Sequence, residues 1–296
     1  MRPAAPDWRL FSTRLLDAAG VGSLGAGAIF FVAANWQDYG LLGRFAILQA
    51  GILATAGLAF WKPPPHALGQ ASLVLAILLT GALLALFGQS YQTGADLYEL
   101  FFIWFLLALP FTIAGNSGAA WATGWTVLNV GLAVYIGLHD VRMMQWLWSG
   151  RLGLGQPTLA LIACVIDFAG AMLFVAREIG PKWLPRVFLA YGFCFGTVGA
   201  IVAIFGKSSA QNPWVIAGFA LACGVLVYDT LRRKSDVFPI ALVCGSWIAI
   251  TTSWIIDVLK FNDLGTFFVL ALWLIGTSSA AGWLLMRLVR EWRVKA

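Results

Sequence analysis

LLGRFAILQAGILATAGLAFW (residues 41–61), KPPP (62–65) and LGQASLVLAILLTGALLALFG (68–88) decide the fold of this chain. The first and third stretches are apolar runs, and a charged, proline-rich divider separates them. A bilayer core of about 30 Å is crossed by about 20 apolar residues in a helix. Proline breaks a helix interior by removing a hydrogen bond and clashing with the preceding turn. Two membrane-crossing helices joined by a short turn satisfy both constraints.

The pattern repeats outward in both directions. Apolar runs lie at 18–36, 41–61, 68–88, 97–115, 118–138, 157–176, 186–206, 213–231, 238–257 and 265–288. Gly180-Pro181-Lys182 with Pro185, and Arg232-Arg233-Lys234-Ser235-Asp236, punctuate the later runs, while Gly115-Asn116-Ser117-Gly118 is an uncharged turn. The chain is 60% hydrophobic and 11% charged, whereas a soluble domain carries about a quarter charged residues. The expectation is an all-α polytopic transmembrane helical bundle of about ten spans. Two five-span halves, 18–138 and 157–288, flank a polar connection at 139–156, with a leader at 1–17 and a basic tail at 289–296. An inverted repeat would suit that division, but the halves share no convincing sequence similarity.

Charge tests the partition independently. With the N-terminus in the cytoplasm, the inner side collects Arg2, Arg9, Arg14, Lys62, Arg177, Lys182, Arg186, Arg232, Arg233, Lys234, Arg287, Arg290, Arg293 and Lys295. The outer side collects Arg44, Arg142, Arg151, Lys207 and Lys260. That bias follows the positive-inside rule, so both ends are expected to face the cytoplasm. The net charge of +6 is scattered between spans, without the continuous basic face of a nucleic-acid binder; membrane lipids are the expected partners. Trp8, Phe11 and Leu15 stand at helical spacing beside Arg9 and Arg14, which fits an interfacial anchor at 7–17 ahead of an uncleaved first span.

Several chemistries are unsupported. Cys164, Cys194, Cys223 and Cys244 each sit inside an apolar run with no C-x-x-C spacing and read as packing residues. With His66 and His139 as the two histidines, no metal site and no cofactor is implied. Gly206-Lys207-Ser208 resembles the tail of a phosphate-binding loop, but Ile201 stands where the upstream glycine belongs.

Two polar stretches fall at the predicted outer face: Asn35-Trp36-Gln37-Asp38-Tyr39, and Gly88-Gln89-Ser90-Tyr91-Gln92-Thr93-Gly94-Ala95-Asp96 with Tyr98 and Glu99. His139-Asp140-Val141-Arg142 returns to the same side. Asn35, Trp36, Asp38, Gln89, Tyr91, Gln92, Thr93, Asp96 and Glu99 are therefore the ligand-binding candidates. The plainer alternative is that short loops between spans are simply polar. Within spans, Asn129 and Gln49 read as interhelical hydrogen-bond donors, and Asp167 needs a partner, a wet cavity or a proton.

Ala33-Ala34-Asn35-Trp36, the 88–96 string, Leu100-Phe101-Phe102-x-Trp104 and Leu109-Pro110 together resemble a family of bacterial predicted membrane proteins of unknown function, over roughly residues 20–140. The resemblance implies a bacterial inner-membrane location and weight on the outer motif; it carries no assigned catalytic residue or cofactor. Three functions remain open: transport or binding of a small polar or lipid-like ligand at the outer face, docking of another envelope protein through the same motif, and a membrane-embedded enzyme on a lipid-linked substrate.

Overall fold

The computed structural model describes residues 8–9, 12, 16, 23, 34, 36–92, 94, 96–137, 156–205, 213–233, 236–259 and 264–295. Among them are nine helices: α1 (Leu41–Trp61), α2 (Ala67–Tyr91), α3 (Leu97–Gly115), α4 (Gly118–Tyr135), α5 (Gln156–Ala176), α6 (Leu184–Phe205), α7 (Pro213–Arg233), α8 (Phe238–Leu259) and α9 (Leu264–Lys295). No strand occurs among the described residues. All nine coincide with expected spans, and eight are long and apolar enough to cross a membrane. The ninth, α4, is less apolar because Thr123, Thr126, Asn129 and several glycines interrupt it. The protein is a polytopic helical membrane protein. Most of the expected interfacial segment 7–17, of the first span 18–36 and of the connection 139–156 lies outside the described residues. The expected tail at 289–296 is, as far as Lys295, a continuation of α9.

Helices suit lipid because each satisfies its own backbone polar groups. The polar side chains within them follow the same logic. Thr55, Ser72, Thr80, Thr123, Thr126, Thr251 and Thr277 each return their hydroxyl to the carbonyl four residues back. Gln49 differs from expectation: it is exposed on α1 and makes no hydrogen bond among the described residues.

The helices pack in two groups. Helix α2 meets α1, α3 and α4, while α6 meets α5, α7 and α8, and α9 packs on α8. The groups join chiefly where α4 lies against α6. Lipid provides no hydrophobic drive between helices, so close packing through small residues holds them together. The Gly192-x-x-x-Gly196 pair serves this purpose. A Cβ on Gly192 would stand 2.6 Å from the Phe168 ring and 3.0 Å from Asp167 Cβ, and one on Gly196 would enter the buried Phe219 ring. Of the cysteines, Cys164 and Cys223 are buried in this core, Cys244 is half-buried and Cys194 is exposed.

Ring contacts fix the two ends of the bundle. Phe45 faces Tyr91 at 6.3 Å and Tyr98 faces Tyr135 at 5.1 Å, so the starts of α1 and α3 and the finishes of α2 and α4 share one end. At the other end Gly118, opening α4, lies against Pro181 in the α5–α6 connection. Lys62, Arg177, Lys182, Arg186, Arg232 and Arg233 cluster at this second end.

Two outcomes follow from this geometry. Gly196→Ala is expected to lower stability by about 1–3 kcal/mol through overpacking, whereas Gly224→Ala, with open space around its Cβ, leaves it unchanged or raised; thermal unfolding in mild detergent compares them. With the native cysteines replaced by alanine, Asp96→Cys and Glu178→Cys are expected to react with an impermeant maleimide from opposite sides of sealed vesicles. Labelling of both from one side would break the assignment of ends.

Candidate functional site

The most constrained polar group in the protein is Asp167, fully buried in the middle of α5. Its Oδ1 accepts two hydrogen bonds from α4: one from Trp125 Nε1 at 2.6 Å and one from Asn129 Nδ2 at 3.1 Å. Asn129 Nδ2 also donates to the Trp125 carbonyl at 3.0 Å, one helical turn earlier. The four-residue spacing puts Trp125 and Asn129 on one face of α4, and that face is turned to α5.

Packing holds this arrangement in register. The Trp125 ring stacks on Phe188 of α6 with centroids 4.3 Å apart. On its other side Phe105 of α3 meets it edge-on at 6.5 Å. Glycine at 170 leaves room for the indole, since a Cβ there would stand 2.7 Å from it. Tyr191 Oη donates to Thr126 Oγ1 at 3.0 Å, which adds a second polar tie between α6 and α4. Two donors serve one carboxylate oxygen, while Asp167 Oδ2 and Asn129 Oδ1 are buried with no hydrogen-bond partner among the described residues. Unpartnered acceptors in a low-dielectric interior are costly. A proton on the carboxyl, a water or a small cation relieves them.

The outer-motif residues sit at the aromatic end of the bundle. Asp38, Gln89, Tyr91, Gln92, Asp96 and Glu99 are exposed and Trp36 is half-buried; Asn35, Thr93 and Asp140 lie outside the described residues. The structure brings part of the motif together through rings and a cation. The Arg44 guanidinium lies 5.4 Å from the Trp36 ring centroid, its Nε donates to the Tyr39 carbonyl, and Tyr91 packs on Phe87 at 4.8 Å. Two of the motif's carboxylates stand at the start of α3. Asp96 occupies the N-cap position of α3 without a side-chain cap bond, and Glu99 lies in its first turn, where negative charge favours the helix dipole. Gln92 closes α2 in the left-handed region at φ 45°, a conformation uncommon for a residue with a Cβ. Trp104 ties α3 to α2 by donating its indole N–H to the Ile77 carbonyl at 2.7 Å. Among the described residues no group of three His, Cys, Asp or Glu side chains gathers as a metal site.

A feature that sequence reading misses lies at the opposite end. A cleft of about 540 Å³ opens between α5, α6, α7 and the start of α8. Its wall includes Ala171, four residues from Asp167 and so one helical turn away on the same face of α5. Its charged lining comes from two stretches far apart in sequence, 178–186 and 229–236, so no contiguous motif announces it.

Asp167→Leu is expected to strand the Trp125 and Asn129 donors, at about 1–3 kcal/mol for each buried donor left unpaired. Asp167→Asn keeps an acceptor for both and should unfold close to wild type. Thermal unfolding of the two variants in detergent separates these outcomes; equal losses would remove Asp167 from its place as interhelical acceptor.

Known proteins add the class and leave the chemistry open. No curated protein and no solved structure matches the chain. A family described as predicted membrane protein (DUF2157), of unknown function, matches residues 3–121. The match begins earlier and stops sooner than the 20–140 span of the motif resemblance, so it takes in the outer-motif strings but neither Trp125, Asn129 nor Asp167. Over residues 3–121, then, this chain is similar to that family of membrane proteins.

Proposed function

We propose that the protein transports or binds a small polar or lipid-like ligand in a bacterial cytoplasmic membrane, with Asp167 as the group whose occupancy changes during the cycle. The observation that carries this reading is the half-satisfied pair of Asp167 and Asn129. An ionisable residue in the middle of a bundle is expensive to keep, and such residues mark proton relays and ion paths. A carboxylate serving only to join helices needs its acceptors filled; here one oxygen of each partner is left over. The location at the junction of the two helix groups supports the same reading, because relative movement of the groups changes the contacts of Asp167.

The charge distribution supports an orientation. The end carrying the cleft collects the basic residues, so it faces the cytoplasm under the positive-inside rule. The Trp36, Tyr91 and Asp96 end then faces outward. Asn129 on α4 lies six residues, about 9 Å along the axis, from Tyr135 at the outer end.

A second reading has its own observation. Most of the described outer-motif side chains are exposed, as befits a surface that docks another envelope protein. The enzyme reading finds less support, since Asp96 and Glu99 are both exposed at the start of α3.

Proteoliposomes containing trapped pyranine test the leading reading. Under an inward pH gradient, and across panels of sugars, amino acids, metal cations and short-chain lipids, wild type is expected to show solute-dependent proton entry. Asp167→Asn should reduce it at least tenfold. Proton entry that is identical in wild type and Asp167→Asn would overturn the role of Asp167. Loss of a co-purifying partner on Tyr91→Ala, with flux absent throughout, would favour docking.

A further inference from the structure

The cleft at the basic end has a composition that selects its occupant. Its depth is apolar: Ala171, Phe174, Leu189 and Leu226 line it and are all buried. Its mouth carries three acidic groups, Glu178, Asp229 and Asp236, and three basic ones, Lys182, Arg186 and Arg233. Equal numbers of each sign leave no net field to attract a simple anion or cation. They complement a ligand bearing both charges a few ångströms apart.

The bonds already made at the mouth leave capacity for a ligand. Arg186 Nε donates to Asp236 at 2.8 Å and Arg233 Nε donates to the Asp229 carboxylate at 2.8 Å. A guanidinium has five N–H donors, so each ion pair leaves the terminal nitrogens available. Both arginine side chains are about half exposed, at 51% and 46%. Ion pairs that exposed contribute only about 0–1 kcal/mol, and exchanging part of one for a phosphate oxygen is inexpensive. The cleft also opens sideways. Met172 and Val175 belong to its lining and are exposed on α5, on a helix that lies in the membrane. A tail can therefore enter from the hydrocarbon while a head stays among the charges. The volume of about 540 Å³ lies within the range of small-molecule sites.

We infer that this cleft binds a zwitterionic phospholipid, with an acyl segment against Phe174, Leu189 and Leu226, the phosphate on Lys182, Arg186 and Arg233, and the ammonium on Glu178, Asp229 and Asp236. The site stands apart from the proton-coupled role of Asp167: the two are tested by different substitutions, and either can fail without the other.

Native mass spectrometry of the full-length protein in mild detergent tests the inference, with added phosphatidylethanolamine, phosphatidylglycerol or free phosphoethanolamine. Wild type is expected to retain one phosphatidylethanolamine at collision energies that strip phosphatidylglycerol. Free phosphoethanolamine at millimolar concentration should not displace it. The exposed double variant Lys182→Gln with Glu178→Gln should lower the retained fraction at least fivefold without changing thermal unfolding. Leu226→Trp, which fills the depth, should lower it at least tenfold. If Leu226→Trp does not fold, the double variant and the headgroup comparison decide. Equal retention of both lipids in wild type and double variant would mean ordinary annular lipid and overturn the site. Full displacement by free phosphoethanolamine would also overturn it, because the cleft would then take a soluble zwitterion with no need of a tail.

Discussion

Hydrocarbon offers no hydrogen bonds, and the arrangement of this protein follows from that single fact. Backbone groups are satisfied inside helices, and threonine and serine hydroxyls turn back to carbonyls four residues earlier. Two tryptophan N–H groups do the same with fewer options. Trp104 finds a carbonyl on a neighbouring helix and Trp125 finds a carboxylate. Each solution ties one helix to another, so the need to satisfy polar atoms also sets which helices are neighbours.

Helix α4 is where these ties accumulate. It carries the two donors to Asp167, accepts a hydrogen bond from Tyr191 and stacks its indole on Phe188. It is also less apolar than the eight helices suited to crossing a membrane, and those two facts have one cause. Trp121, Trp125, Thr126 and Asn129, which lower its hydropathy, bond or pack across to the second helix group, while Gly124 and Gly131 let α3 approach closely. An element that would be poorly stable facing lipid is stable between protein surfaces.

The two ends of the bundle differ in the same physical terms. The aromatic end presents rings, an arginine over an indole, and exposed amides and carboxylates at helix caps. The basic end presents a cleft whose depth is apolar and whose mouth is charge-balanced. A carboxyl with a free acceptor lies between them, one turn from the cleft wall. Such an arrangement suits a protein whose ligand meets both lipid and water, and it gives a transport reading a defined place to act.

Composition and punctuation alone determined the class and, among the described residues, the positions of nine of the expected spans. The 41–61 and 97–115 runs, for example, coincide with α1 and α3, because the bilayer enforces one length scale and one backbone solution on any crossing segment. The importance of Asp167 was legible as a carboxylate within an apolar run, and Asn129 as an interhelical donor. Their pairing was not, since 38 residues separate them and contact across helices depends on rotation and depth that a periodicity does not encode. The outer motif was legible as a string but not as a surface; only the tertiary structure decided that Gln92 lies in the left-handed region, that Asp96 stands at the N-cap position of α3 without a side-chain cap bond and that Glu99 lies in its first turn. The cleft was invisible for the same reason. Its charges come from two separate stretches of chain, 178–186 and 229–236, and only the packing of α5, α6, α7 and α8 brings them to one mouth. Local hydropathy records how each segment meets its solvent, whereas a site is a relation between segments, and that relation is set by side-chain packing.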